Sequence, residues 1–382
     1  MKSQGTPRRN IFVGMSGGVD SSVSAALLKN EGHDVTGVFI KVWQPDWIEC
    51  TWREDRRDAM RAAAHLDIPF VTLDLEKEYK KGVIDYMIAE YAAGRTPNPD
   101  VMCNKEVKFG AFYQWAMKNG GDAISTGHYA QITKSETLNP KQILNSKSKA
   151  RKGLIYSLLK GVDSNKDQSY FLWTLRQEQL GHILFPVGGM TKPEVRRLAK
   201  KFKLPNAEKK DSQGLCFIGH VDIQEFLSHY IENKPGKVVD GKGRDIGTHP
   251  GALFFTLGER HGFLIDSRHK TPNDEPYYVI GKNMDKNEVA VSQNRSGIIN
   301  AGSNPKALVT INSVNWIGEI PIVGTSVSVR TRYRQPLISA KIVKASADSA
   351  SFELETNTDP ITPGQSLVIY DGKKCLGGGV IN

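Results

Sequence analysis

The sequence predicts an α/β protein in which a doubly wound parallel-sheet domain is followed by a small central domain and a C-terminal β-barrel. Three observations lead there. A short apolar run, Ile11-Phe12-Val13, passes through the turn Gly14-Met15-Ser16-Gly17-Gly18-Val19-Asp20-Ser21-Ser22 into breaker-free, helix-forming sequence over 23–29. Strand and helix patterns then alternate as far as Thr126, as in a parallel sheet whose ligands sit beyond the carboxyl ends of its strands. From about Lys234 helical periods vanish, and short alternating segments rich in glycine, proline, valine and threonine take over.

In chain order, a second strand is expected over 34–42, a charged amphipathic helix over 53–66 and a third strand over 70–73. A longer helix over 76–93 is ended by Gly94, Pro97 and Pro99. Another helix is expected over 105–118, and a short strand over 123–126 that closes at Gly127-His128-Tyr129. The glycine-rich turn, Ile40 after the second strand and Gly127 should converge. Residues 134–153, rich in lysine, serine and asparagine and without period, read as a mobile basic excursion, a kind of run that is usually a solvated loop. Order resumes over 154–159 and 171–180. A helix follows over 192–202, with Thr191 as its cap and Pro193 near its first turn. Strands are then expected at 277–280, 288–291, 307–314, 326–333, 340–345, 351–355 and 366–370. The corresponding domains are a nucleotide-binding catalytic domain over 1–210, a linker-like central domain over 211–295 and a barrel over 300–382, with no internal repeat.

A chain of 382 residues has room for two or three cores. Its 51 lysines and arginines exceed its 41 acids by ten, which suits an acidic partner such as nucleic acid, although many basic proteins bind none. No apolar run approaches the roughly 20 residues needed to cross a bilayer. The first ten residues are polar and basic, unlike a signal peptide or anchor, so no membrane role is expected. The four cysteines, Cys50, Cys103, Cys216 and Cys375, are too scattered for a secreted disulfide framework, and none forms a Cys-x-x-Cys pair. A cytoplasmic location follows as the simplest expectation. No cysteine cluster suggests a zinc site or a four-cysteine iron–sulfur site.

The turn at Gly14 carries the chemistry. Gly17 and Gly18 permit positive φ and leave no side chain between backbone and ligand, so successive N–H groups can converge on phosphate oxygens. The following helix adds its positive end, and Ser16, Ser21 and Ser22 add hydroxyl donors. Asp20 is an odd acid for a phosphate site unless a divalent cation, magnesium, joins it to the anion. Glycine and serine also make ordinary turns. No Gly-Lys-Ser/Thr follows, so this is not a Walker A loop, and the spacing is not that of a dinucleotide fingerprint.

Two cysteines stand in suggestive surroundings. Cys103 falls near the start of the helix expected from Lys105, where the helix end and Lys105 both favour thiolate; Asp100 can act as a proton carrier there or simply as a helix cap. A cysteine near a helix start is, on its own, most often structural. Cys216 lies between Gly214 and Gly219 after Lys209-Lys210, an electropositive and turn-rich setting, although Leu-Cys-Phe-Ile is also good core material. Spacing alone does not pair the two.

Ser-Gly-Gly-Val-Asp-Ser resembles the pyrophosphate loop (PP-loop) of the ATP pyrophosphatases, which adenylate a substrate and release pyrophosphate. Taken with Gly-Arg-Thr-Pro-Asn-Pro-Asp-x-x-Cys-Asn-Lys, Thr-Gly-His-Tyr, Asp-Gln-Ser-Tyr-Phe-Leu, Cys-Phe-Ile-Gly, Thr-Arg-Tyr-Arg-Gln, Thr-Pro-Gly-Gln and Cys-Leu-Gly-Gly-Gly in this order, the chain resembles the tRNA-specific 2-thiouridylase family from about residue 10 to its last residues. The resemblance implies replacement of the 2-oxygen of the wobble uridine, position 34, by sulfur. ATP adenylates that oxygen, and pyrophosphate leaves into the cradle formed by Gly14, Met15, Ser16, Gly17, Gly18, Val19, Asp20 and Ser21. Ile40, where the family often has methionine, and Gly127 complete the adenine site. Cys216 carries sulfur as a persulfide, Cys103 is the nucleophile that helps release it, and the two end as a disulfide. Asp100 is the acid–base residue, and Asn98, Pro99 and Asp100 contact the target base. His128, Lys166, Asp167, Gln168, Arg332, Tyr333 and Gln365 match tRNA-contacting segments, suited to flipping a nucleotide out of the anticodon loop. The partners implied are the tRNA anticodon stem-loop and a sulfur-donor protein, a cysteine desulfurase or a sulfur relay protein. Glu259 departs from the family's usual glutamine and adds a negative charge to its loop. Cys50 and Cys375 read as structural.

Two other readings share parts of this pattern. An amide-forming ligase of the ATP pyrophosphatase type needs the loop at Gly14 but has no use for Cys103, Cys216 or a basic barrel. An RNA-binding or sulfur-carrying protein without catalysis needs neither Ser16, Asp20 nor Ser21.

Overall fold

The computed structural model describes residues 7–48, 52–138, 152–211, 222–232, 234–269, 275–294, 307–355 and 360–382. Cys50 and Cys216 lie outside the described residues, as does 139–151 of the expected excursion.

The first sheet is built from β1 (Asn10–Gly14), β2 (Asp34–Lys41), β3 (Phe70–Asp74), β4 (Ala123–Ser125) and, later, Ile183–Leu184. All its neighbours pair in parallel. Such strands are buried on both faces, which is why Ile11, Val13, Val38 and Ile124 are wholly inaccessible. The crossovers are α1 (Val19–Asn30), α2 (Trp52–His65) and two composite helices. One runs through α3 (Glu76–Tyr79), a π-helical stretch Lys80–Asp85 and α4 (Tyr86–Ala92). The second runs through α5 (Pro99–Met102), a π-helical stretch Cys103–Phe112 and α6 (Tyr113–Lys118). The helix expected from Lys105 thus begins six residues earlier. Asn98 caps it by accepting the Val101 N–H at 3.2 Å, and Pro99, whose missing N–H costs nothing in the first turn, starts it.

Of the basic excursion expected over 134–153, the structure describes 134–138 and 152–153, and these are strand. They belong to β5 (Ala130–Leu138) and β6 (Lys152–Lys160), which pair antiparallel. Beyond them lie α7 (Gln177–Leu180), β7 (Ile183–Leu184) and α8 (Lys192–Lys201), the last opened by a reciprocal Thr191–Glu194 capping box.

After α9 (Ile223–Ser228), a second sheet runs β10 (Leu264–Ile265), β9 (Asp245–His249), β8 (Gly236–Val239), β12 (Glu288–Ser292), β11 (Tyr278–Asn283). A third has the order β13 (Ala307–Trp316), β16 (Ser349–Leu354), β15 (Ile338–Ala345), β14 (Ser326–Arg330), β17 (Ser366–Asp371), β18 (Lys374–Ile381), and β13 pairs back onto β18 to close a six-stranded barrel. The α/β fold, with its parallel sheet, central domain and barrel, is therefore observed. The pair β5–β6 extends the barrel's sheet through β6 and β18, so this part of the first 210 residues is hydrogen-bonded to the C-terminal strands.

The seam is held by a buried ion pair. Asp167, with only 2% of its side chain exposed, accepts Arg330 Nη1 at 2.9 Å and the N–H groups of Gly161 and Ser169 at 3.0 and 3.1 Å. Removing one partner strands the other charge in a dry site, and such losses run to about 3–5 kcal/mol. Arg330→Met should therefore lower the chemical-denaturation midpoint markedly. A midpoint unchanged from the parent would show that the seam is held by other contacts.

Candidate active site

The strand order β3-β2-β1-β4-β7 reverses between β1 and β4, and ligand crevices open at such switch points. There β1 ends at Gly14 and the chain turns at Gly17 with φ +79°, where a Cβ would stand 2.3 Å from the Asp55 carbonyl oxygen; only glycine fits. Gly18 is the N-cap of α1 and supplies no side-chain cap, so the first-turn N–H groups face the loop without a capping acceptor. Ser21 Oγ accepts the Ser16 N–H at 3.3 Å and lies 3.5 Å from Ser16 Oγ. Met15 and Val19 point into the core, contributing backbone rather than side chain.

Gly127 presses against this turn from β4. A Cβ there would lie 2.7 Å from Ser21 N and 2.8 Å from the Asp20 carbonyl carbon. The expected meeting of Gly127 with the loop is thus a contact between two bare backbones. Ile40 is 5% exposed near the carboxyl end of β2, two positions beyond Val38, whose carbonyl accepts the Met15 N–H at 2.8 Å. Asn206 braces the turn from outside: its Nδ2 donates to the Gly17 carbonyl at 2.8 Å and to Ser22 Oγ at 3.0 Å. The cradle's geometry suits a chain of phosphates.

Asp20 has a partner the sequence did not disclose. Lys192, the first residue of α8, places Nζ 2.7 and 2.9 Å from its two carboxylate oxygens, and Tyr129 donates its hydroxyl at 2.8 Å. This lysine pairs the acid within the loop. Lys192 Nζ also lies 2.7 Å from Asp211, which Lys166 and Arg196 approach to 2.5 and 3.0 Å. Burial raises the Asp211 pKa, but the hydrogen bonds from Lys166 and Lys192 outweigh it and hold the carboxyl at about 2.

Cys103 is fully buried as the fifth residue of its helix, inside the core that also holds Val101, Val107 and Tyr170. The expected help from a helix start is weaker in that position, and Lys105 lies 3.1 Å from Glu106. Asp100 sits in the first turn, half-buried, and the same helix continues to Phe112, whose ring would meet a Cβ on Gly14 at 3.5 Å. Cys375 is also buried, and burial pushes its thiol up to about 12. Of the two lysines before Cys216, Lys209 is paired at 2.7 Å with both Asp55 and Asp58.

The residues matched to RNA contact fall into two groups. Lys166 is partly exposed beside an open groove lined by Lys192, Arg196, Arg197 and Lys200. The others are engaged within the protein. His128 is buried between Phe109 and Phe185 with Nδ1 2.7 Å from Thr126 Oγ1; burial, then the charge of Lys108, pushes its pKa well below the usual value. Asp167 holds the seam, and Gln168 Oε1 accepts the Tyr129 N–H at 2.9 Å. Arg332 Nη2 donates to the Leu257 carbonyl and Thr362 Oγ1, tying central domain to barrel. Tyr333 packs on Phe171, ring centres 4.5 Å apart, and Gln365 Nε2 donates to the carbonyls of Thr96 and Pro97. Glu259 is partly buried, accepts the Thr256 N–H at 2.9 Å and faces Lys282, whose pKa burial lowers to about 8.

Three family models match in succession: a tRNA methyl transferase HUP domain over residues 9–220, a tRNA methyl transferase PRC-barrel domain over 224–293 and an aminomethyltransferase beta-barrel domain over 306–381. Among curated relatives, the tRNA-specific 2-thiouridylase MnmA of Streptococcus sanguinis (strain SK36) is 43% identical over 375 residues, covering 97% of this chain and 95% of that one. The MnmA of Lacticaseibacillus paracasei (strain ATCC 334) is 42% identical over 379 residues, covering 97% and 94%. Among solved structures, NMN synthetase from Francisella tularensis matches at 16% identity with a TM-score of 0.33 over 58% of this chain and 72% of that one, too low a score to relate the two.

The bare contact at Gly127 has a direct test. Gly127→Ala should weaken binding of a non-hydrolysable ATP analogue about tenfold or more, because the methyl group must displace the backbone at Asp20 and Ser21. Calorimetric titration measures it; an affinity within twofold of the parent would mean that the loop yields freely.

Proposed function

The chain belongs to the tRNA-specific 2-thiouridylase family, and from that premise we propose that it is an ATP-dependent sulfurtransferase that converts the wobble uridine of tRNA to 2-thiouridine. A pyrimidine carbonyl oxygen is a poor leaving group, so it must first be activated. The oxygen attacks the α-phosphorus of ATP, and the cradle at Gly14–Ser21, with its bare N–H groups and helix end, takes the departing pyrophosphate. Magnesium, where bound, shields phosphate charge. The observation that carries this reading is the phosphate cradle with Gly127 pressed on it and Phe112 of the Cys103 helix beside the strand end, Gly14, that leads into it.

Sulfur then enters at C2 in place of the adenylated oxygen. Cys216 bears a persulfide; the Cys103 thiolate attacks the Cys216 sulfur, the two thiols are oxidised to a disulfide, and the outer sulfur leaves reduced as hydrosulfide. Hydrosulfide adds to C2 and AMP departs, with Asp100 taking up the proton that the sulfur gives away. A thiol reductant must reopen the disulfide, and a sulfur-donor protein must reload Cys216. Asn98, Pro99 and Asp100 meet the flipped base, while Lys166 meets RNA phosphate. Cys103 is fully buried without substrate, so its Sγ must be uncovered before it can attack. The activity belongs in the cytoplasm, where its tRNA is found.

Incubation with unmodified tRNA, ATP, magnesium and a sulfide source, followed by mass analysis of the digested nucleosides, tests the whole reading. A gain of 2-thiouridine that requires ATP is expected; pyrophosphate release without it would redirect the search to another acceptor. Cys216→Ser should still release pyrophosphate but form no 2-thiouridine with a persulfide donor, and loss of both activities would contradict the division of labour. Alkylation of Cys103 should be slow in the free protein and at least several-fold faster with tRNA and ATP bound; equal rates would mean that burial does not gate the thiol.

A further inference from the structure

We propose, resting on the nucleotide-binding part of the reading above, that Lys192 is a positioning residue that neutralises Asp20 and so keeps the phosphate cradle positive. Its side chain is 11% exposed, and its ammonium has three donors for three close oxygens: both of Asp20 and one of Asp211. Asp211 does not draw this charge away, because Lys166 and Arg196 serve it as well. Three cations thus share the carboxylates of Asp20 and Asp211, while Asp163 stands beside them with Oδ2 accepting the Lys192 backbone N–H at 2.9 Å. Asp20 in turn fixes the lysine: it stands in the first turn of α1, where the helix end favours a carboxylate, and Tyr129 holds one of its oxygens. Without Lys192 the cradle would present a bare carboxylate to incoming phosphates, and the helix end alone would have to offset it.

Neutralisation predicts a particular non-additivity, and rescue by Lys192→Arg separates the lysine's charge from its shape. Affinity for a non-hydrolysable ATP analogue is to be measured by calorimetry for the parent, Lys192→Met, Lys192→Arg, Asp20→Asn and the double variant. Lys192→Met should weaken binding about tenfold or more and Lys192→Arg should largely preserve it. Once Asp20 is asparagine, the same Lys192→Met change should cost less than about threefold. Equal losses in both backgrounds, or unchanged affinity in Lys192→Met, would overturn the proposal. Should Lys192→Met fail to fold, Asp211→Asn keeps the question open to test: removing an acid from the junction should leave affinity unchanged or raise it, and a loss would overturn the proposal. The readout involves no RNA chemistry, so a parent protein that forms no 2-thiouridine would sink the sulfurtransferase reading while leaving this comparison decisive.

Discussion

The cleft depends on two backbones meeting with no side chain between them. Gly127 can lie against Asp20 and Ser21 only because it lacks a Cβ, and Gly17 can turn beneath Asp55 for the same reason. Together these contacts bring the ends of β1 and β4 close enough for one helix terminus to serve a ligand held by both. The parallel sheet supplies the switch point, and glycine supplies the clearance. Asn206 then ties the turn's outward carbonyls to the segment after α8, so the cradle is fixed from both sides.

The same logic of close approach joins the three parts of the chain. Gly364, at φ +91°, would bring a Cβ within 2.8 Å of the Thr96 carbonyl, and the Thr96 N–H donates to Pro363 at 2.9 Å. With Gln365 donating to Thr96 and Pro97, the barrel grips the loop that leads into Asn98, Asp100 and Cys103. Arg332 adds a strut to the central domain. A barrel hydrogen-bonded to the approach to Cys103 sets that helix's position; it is not an independent appendage.

What was legible in the sequence was chemistry written locally. The strand, turn and helix at Gly14 are contiguous, so period and composition sufficed, and Thr191 with Pro193 announced α8 within three residues. Signals with two meanings misled. The prolines at 97 and 99 ended one helix, but Pro99 also began the next, so Cys103 lies one turn deeper than its sequence implied. The two ends of the basic excursion, 134–138 and 152–153, read as loop because a strand at a sheet's end can carry charge, and β5 is such a strand. Cys-Leu-Gly-Gly-Gly read only as a motif, yet it is β18: a Cβ at Gly377 would lie 2.1 Å from the Asn315 carbonyl, so glycine there marks a crowded strand. Lys192 and Asp211 were missed because their partners are far away in sequence, and no spacing rule reaches from 20 to 192.

Charge and shape are divided among the residues matched to RNA. Asp167, Gln168, Tyr333 and Gln365 spend their polar groups or rings on other parts of the protein, and buried, neutral-leaning His128 carries no charge to offer a phosphate. Lys166 and Arg196, each paired with Asp211, and the exposed Arg197 and Lys200 line the rim of an open groove. Nucleic-acid recognition separates in the same way: phosphate contacts supply affinity, and a shaped surface selects which nucleotide enters. A substitution in the first group therefore alters the walls of the cleft and the docking of the barrel before it alters any contact with RNA. If RNA docks along that groove, a lost cation there weakens attraction while the walls stand, and salt screens what remains. The two classes are distinguishable by the salt dependence of binding, because only the second changes the number of phosphates neutralised.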